Sequence, residues 1–98
     1  MSVARLIYVA VEPPEAAEAE RLWKQDCAPL MIQQEGCLSE ELLKSTDNQG
    51  EYISYSEWQD EAAIKRFEAS DAHHQIEEHT KRLRVVSPPV TKTYEVSG

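Results

Sequence analysis

Three histidines lie close together in the last third of the chain, and imidazole is the side chain best suited to proton transfer near neutral pH. His73 and His74 follow Asp71, a residue type that often caps the amino end of a helix. The helix dipole at that end disfavours a positive charge and favours the neutral imidazole, which can accept a proton. His73 and His74 are therefore candidate catalytic bases. The alternative is that both are exposed residues at a helix start.

The same segment offers only incomplete ligand sets for a metal. His73 with Glu77, and His74 with Glu78, are four residues apart and share a helical face. Neither pair has a third ligand in register, and the chain contains no HExxH sequence. A solvated charged face explains these residues better, so we expect no metal site. His79 falls on the apolar stripe of this helix, which favours a buried, hydrogen-bonded core histidine.

Aromatic side chains on the predicted strands are candidates for the walls of a small-molecule pocket. Trp58 can stack on a planar substrate, or it can be a core residue at a strand–helix corner. Tyr8 and Tyr55 can bind a phenolic or carbonyl oxygen if their hydroxyls point inwards. Glu57 lies on the opposite strand face from Trp58, because strand side chains alternate. If Glu57 is buried, it is a candidate base. If it is exposed, it is instead an ion-pair partner at the rim of a dimer interface.

Composition restricts the classes of partner. The net charge of −8 predicts repulsion from nucleic acids and from anionic membranes. No apolar run approaches the ~20 residues that a membrane span needs, and the start of the chain lacks the pattern of a signal peptide. We therefore expect a soluble, cytoplasmic protein. Cys27 and Cys37 have no metal-ligand spacing, so we expect two reduced, buried thiols.

Hydrophobic patterning predicts elements in the order β-α-β-β-α-β, within one domain of residues 1–98. The predicted strands are Val3–Val11, Cys37–Thr46, Glu51–Trp58 and Val90–Val96. The predicted helices are Glu15–Asp26, Asp60–Ala69 and Ala72–Arg84.

Turn-forming residues set the expected boundaries. Pro29 should end the first helix near Ala28, because the residue before proline avoids the α region. Asp47-Asn48-Gln49-Gly50 is typical of a hairpin loop. Asp71 should cap the last helix, and Ser87-Pro88-Pro89 should be a linker.

This element order matches the ferredoxin-like arrangement, an α+β fold with a four-stranded antiparallel sheet and helices on one face. The run from Leu6 to Val11 is apolar on both faces. A strand with one face in water should alternate, so the face without helices should meet a second copy. Two sheets packed face to face would form a dimeric α/β barrel with an internal pocket.

Several short motifs together resemble the antibiotic biosynthesis monooxygenase family over nearly the whole chain. They are the Gly36-Cys37 turn, the strand ending in Glu57-Trp58, the acidic and Ala-rich helix that follows, and the segment Ser70-Asp71-Ala72-His73-His74. The resemblance implies a homodimer with a barrel fold. It also implies oxidation of phenols or quinols by O2 without metal or flavin. Other members of the family degrade haem, act as isomerases or have no assigned activity.

The functional positions of the polyketide-type oxygenases in this family are only partly matched. They carry an Asn on the third strand, a Trp four residues later and a Tyr six residues after that. The matching positions here are Ser54, Trp58 and Ile64. Ser54 can still donate one hydrogen bond, whereas Ile64 cannot transfer a proton.

The haem-degrading members carry an Asn, a Trp and a His at positions that correspond here to Tyr8, Phe67 and Glu77. None of the three matches, so we expect no haem chemistry unless His73 or His74 supplies a ligand. Phe67 remains a candidate aromatic residue of the pocket.

The sequence therefore predicts a cofactor-independent monooxygenase that acts on a small aromatic substrate and O2. His73 or His74 would be the base, and Trp58, Tyr55, Tyr8, Ser54 and Phe67 would bind the substrate. The alternatives are a small-molecule-binding dimer without activity, and a cofactor-free isomerase that needs a base but no O2.

Overall fold

The computed structural model describes residues 1–98 and contains one four-stranded sheet with its helices on one side. The strands are β1 (Val3–Val11), β2 (Cys37–Lys44), β3 (Glu51–Trp58) and β4 (Val85–Glu95). The helices are α1 (Ala16–Leu22), α2 (Ala28–Ile32), α3 (Glu61–Glu68) and α4 (Asp71–Thr80). The strand order is β2-β3-β1-β4, and every neighbouring pair is antiparallel. The predicted ferredoxin-like α+β fold is confirmed.

The two faces of the sheet carry different side chains. On the helix side, Arg5 pairs with Ser56 and Ile7 pairs with Ser54, and alternate residues of β3 are buried along its whole length. On the opposite face, which we call the open face, Leu6 pairs with Tyr55. No helix covers the open face in a single chain, and several large apolar side chains remain exposed there.

The core lies where the helix side of the sheet meets α2 and α3. Trp58 has no exposed surface, and its ring stacks on Phe67 with 5.1 Å between the ring centroids. Its indole nitrogen donates to the Ser56 hydroxyl at 2.8 Å, which satisfies a buried donor. The other buried members of this cluster are Val3, Met31, Ala63 and Ile64.

The first helical region does not end at the proline, so that prediction is wrong. A π-helical turn, Trp23–Cys27, joins α1 to α2, and the Ala28 amide donates to the carbonyl of Trp23 five residues earlier. This wider turn starts a new α-helical segment in which Pro29 occupies the first turn. Proline is tolerated there because the amides of a first turn need no partner within the helix.

The prediction that Ser87-Pro88-Pro89 is a linker is also wrong, since these residues belong to β4. β4 is an edge strand that pairs only with β1, and proline is tolerated where no second strand needs its missing N–H. The register with β1 shifts between Tyr8 and Ala10, which accommodates this part of the strand.

The last helix is shorter than predicted and is capped by a different residue. α4 ends at Thr80 rather than Arg84, and the Ser70 hydroxyl, not Asp71, accepts from the His73 amide at 3.2 Å. None of the helices has the length and apolar character that crossing a membrane requires.

The Gly36-Cys37 turn depends on a left-handed backbone. Gly36 has a φ of +86°, and its carbonyl accepts from the Gln59 amide at 2.7 Å. A Cβ on Gly36 would lie 2.5 Å from the Cβ of Ala63. Glycine is therefore required here both by conformation and by the close approach of α3.

Candidate active site

A cavity of about 300 Å³ lies between the helix layer and the helix side of the sheet, within one chain. We call it the helix-side cavity. Its volume is at the lower end of the ~300–1,000 Å³ typical of small-molecule sites. Much of its wall is apolar, and this part includes Ile7, Val9, Trp23, Met31, Leu42 and Ile76. The pocket expected between two sheets of a dimer is a separate feature, because it would need a second copy of the chain.

A second, more open depression of about 530 Å³ lies over one end of the open face. Its wall includes Tyr8, Ala10, Leu43, Ile53 and Val90. No histidine reaches it. Because it is more open than the helix-side cavity, it is less suited to chemistry that must exclude water.

His73 lies in the first turn of α4 and lines the helix-side cavity. Its side chain is 21% exposed, and its ring contacts Phe67 edge-on, with centroids 5.1 Å apart. Nδ1 lies 3.6 Å from the Glu77 carboxylate, which is longer than a hydrogen bond. The cap by Ser70 fixes the start of the helix and so sets the position of the imidazole.

The other two histidines lie elsewhere. His74 is exposed and does not line the cavity. His79 is only partly buried and forms no side-chain hydrogen bond, so the expectation of a buried core histidine is wrong. Neither of these two histidines lines the helix-side cavity.

Arg5 is a cavity residue that the sequence reasoning missed. It is only 4% exposed, although it carries a charge. Its Nε donates to the Glu68 carboxylate at 3.0 Å, and its guanidinium carbon lies 5.5 Å from the centre of the Phe67 ring. The available signal was one cation inside the otherwise apolar run from Val3 to Val11. A charged residue is almost never fully buried unless it is paired.

Ser54 is another polar residue of the cavity wall. It lies on β3, opposite Ile7 of β1, and is 8% exposed. Its hydroxyl forms no hydrogen bond within the protein, and the residue lines the cavity. By contrast, the hydroxyl of Ser56 is used by Trp58 and by the carbonyl of Arg5. Ser54 is therefore free to donate to a bound molecule.

The predicted aromatic residues divide between three environments. Phe67 lines the helix-side cavity, whereas Trp58 lies fully buried behind it and supports it by stacking. Tyr8 lies on the open face, on the other side of the sheet from His73. Tyr55 also lies there and donates to Glu57 at 3.4 Å. The cavity thus brings together three of the predicted residues: His73, Ser54 and Phe67.

Neither a reactive thiol nor a metal centre is present in the same region. Cys27 lines the cavity, and burial raises the pKa of its thiol to about 11. It is therefore protonated at neutral pH and is a weak nucleophile. No group of three or more His, Cys, Asp or Glu side chains is arranged to hold a metal ion.

Comparison with known proteins gives one family match and many matches of fold. Residues 2–79 match the family model described as antibiotic biosynthesis monooxygenase. A conserved protein from Methanosarcina mazei Go1 is similar in structure, with a TM-score of 0.88, 18% identity, and coverage of 99% of this chain and 94% of that one. Rv0793 from Mycobacterium tuberculosis has a TM-score of 0.83, 17% identity, and coverage of 100% and 97%.

A third solved structure, described as an antibiotic biosynthesis monooxygenase, has a TM-score of 0.83, 14% identity, and coverage of 98% and 99%. No protein of curated function has significant sequence similarity to this chain. At these identities the solved structures show a shared fold, and fold alone does not determine chemistry.

Proposed function

The chain belongs to the antibiotic biosynthesis monooxygenase family, and we propose that it oxidises a small phenol- or quinol-type aromatic substrate with O2 and without a cofactor. The reaction would take place in the helix-side cavity. The observation that carries this proposal is His73, an imidazole at the wall of a mostly apolar cavity that also contains a free Ser54 hydroxyl. Oxidation by O2 without a cofactor needs a base, a hydrogen-bond donor and a site that excludes water.

Each group has a defined task in this proposal. His73 takes the proton of the substrate hydroxyl, and Ser54 donates to the resulting phenolate oxygen. The phenolate transfers electrons to O2, and a new C–O bond forms at a ring carbon. The O–O bond then breaks, one oxygen stays as a quinone carbonyl, and the other leaves as water. A phenol plus O2 gives a quinone plus water, so the substrate supplies all the electrons.

The cavity volume restricts the substrate to a small aromatic molecule. About 300 Å³ is close to the smallest volume of typical ligand sites. Apolar side chains cover most of the wall and would contact the faces and edges of a planar ring. We therefore expect one ring or two fused rings rather than a large polycyclic substrate.

Oxygen uptake tests this function directly. Chelator-treated protein should consume O2 with at least one member of a panel of hydroquinones, naphthols and naphthohydroquinones. The product should contain one atom of ¹⁸O from ¹⁸O2, measured by mass spectrometry. Heat-denatured protein is the control for spontaneous quinol oxidation. No turnover above that control across the panel would contradict the proposal.

A cofactor-free isomerase is the second candidate, and the position of Ile64 favours it. Ile64 replaces the proton-transferring Tyr of the polyketide-type oxygenases and is packed in the core, 4% exposed. An isomerase needs the His73 base but not a second group for oxygen chemistry. Activity that persists under anaerobic conditions would distinguish this candidate. A purely binding role is less well supported, because a non-catalytic cavity has no need of His73.

We also propose that the protein is a homodimer in which a second copy covers the open face. Four large side chains of the open face remain 37–50% exposed, namely Tyr8, Leu43, Val90 and Tyr94. Apolar patches of this kind mark interaction sites. Sedimentation equilibrium should give twice the chain mass at micromolar concentration. Val90→Asp should shift the protein towards monomer, whereas Gln25→Asp on the helix layer should not. A wild-type monomer would contradict the dimer.

A further inference from the structure

The Arg5 guanidinium has more hydrogen-bond donors than partners. It carries five N–H groups, and only Nε–H is used, by Glu68 at 3.0 Å. The two terminal nitrogens form no hydrogen bond within the protein, although the side chain is only 4% exposed and lines the helix-side cavity. The two terminal nitrogens, at one edge of the guanidinium, are therefore free to donate to a molecule that binds in the cavity.

The residues around this edge do not supply the missing partner. Glu68 is bound to the other side of the guanidinium and is 40% exposed. Glu77, the other carboxylate near the cavity, lies beside His73 and is 65% exposed. The ring of Phe67 offers the cation a π face but no acceptor oxygen. Arg5 thus lines the cavity while its two terminal nitrogens have no acceptor within the protein.

A carboxylate is the ligand group that fits this edge. Guanidinium and carboxylate are both planar, and two parallel N–H···O bonds can join them. A single hydroxyl or carbonyl oxygen offers the two terminal nitrogens one acceptor atom instead of two, and it brings no negative charge to the cation. The protein has a net charge of −8, which opposes the binding of anions in general. A preference for an anionic ligand would thus depend on Arg5 itself.

We propose that the helix-side cavity binds hydroxyaryl carboxylates, with Arg5 holding the carboxylate and the hydroxyl directed towards His73. Arg5 and His73 both lie within 5.5 Å of the centre of the Phe67 ring, so a ligand of one or two fused rings can reach both. The reaction at the hydroxyl end rests on the proposed function. The binding of the carboxylate does not, because it needs only the cavity and Arg5.

A matched pair of ligands tests the carboxylate. In the wild-type protein, 6-hydroxy-2-naphthoate should bind at least about tenfold more tightly than 6-hydroxy-2-naphthamide, which has the same shape and no charge. Titration calorimetry gives both dissociation constants, and quenching of Trp23, which lines the cavity, gives an independent value. Equal affinities for the acid and the amide would overturn the proposal without the need for any variant.

Variants then assign the preference to one side chain. Arg5→Gln should remove the preference for the acid, and Arg5→Lys should retain part of it because the charge remains. Arg66→Gln, which changes an exposed arginine of α3, should leave it unchanged. A preference that survives Arg5→Gln in folded protein would overturn the proposal. If Arg5→Gln does not fold, Arg5→Lys decides the point, and an unchanged ratio contradicts the assignment.

Failure of this inference can be distinguished from failure of the proposed function. If the acid is preferred through Arg5 and no panel compound is oxidised, the carboxylate site stands and the oxygenase proposal fails. If quinols are oxidised but the acid and the amide bind equally, the oxygenase proposal stands and the carboxylate site fails.

Discussion

Replacing His73 with glutamine should lower kcat for oxygen uptake by about 10²–10⁴-fold, the usual contribution of a positioned base. Glutamine is similar in size and can still donate a hydrogen bond, but it cannot accept the substrate proton at neutral pH. His73 lines the cavity, so its loss should act on the chemical step. The measurement is steady-state oxygen uptake with the best quinol of the panel.

The neighbouring residue provides a matched control for this experiment. His74 has the same side chain one position further along α4, but it is exposed and outside the cavity. His74→Gln should retain kcat within about twofold, since surface substitutions seldom perturb a site. Equal losses in the two variants, or full activity of His73→Gln, would remove His73 as the base.

Replacing Trp58 with alanine should lower the free energy of unfolding by about 3–5 kcal/mol, the usual loss for a large buried aromatic residue. Trp58 has no exposed surface, stacks on Phe67 and donates to Ser56. Native proteins are stable by only about 5–15 kcal/mol, so this loss should remove a large share of the free energy of unfolding. Urea denaturation followed by circular dichroism measures the change.

A conservative variant separates packing from the hydrogen bond. Trp58→Phe keeps an aromatic ring against Phe67 but removes the donor to Ser56, so its loss should be clearly smaller. A loss below about 1 kcal/mol for Trp58→Ala would show that this side chain does not anchor the core. Ligand affinity should also fall in Trp58→Ala, because Phe67 loses the surface that supports it at the cavity wall.

Local patterns were enough to predict the elements and their order. β3 alternates between buried and half-exposed residues, and its bounds were predicted correctly because this period is specific to strands. The position of His73 near a helix start also followed from local signals, although Ser70 and not Asp71 is the cap. Both residues are good caps, and the choice between them depends on where α3 ends.

The prolines and Arg5 could not be interpreted from local patterns alone. Pro29 is compatible with a continuing helix only because a π turn precedes it, and Pro88 is compatible with a strand only because β4 is at an edge. The role of Arg5 depends on Phe67 and Glu68, which lie more than 60 positions away in the chain and meet it only after folding. The sequence also could not show which face of the sheet encloses the cavity. For this reason Tyr8 and Tyr55, which lie on the open face, were among the predicted pocket residues.

The cavity and the exposed apolar patch occupy opposite faces of one sheet, and neighbouring residues of each strand alternate between them. Single substitutions can therefore alter the surface on one face while leaving the other nearly intact. During evolution, substitutions on the helix side can change the ligand that binds while the surface of the open face is retained. Substitutions on the open face can likewise change the association of the chain without altering the cavity. This independence gives a physical reason why so small a fold can be reused for many reactions.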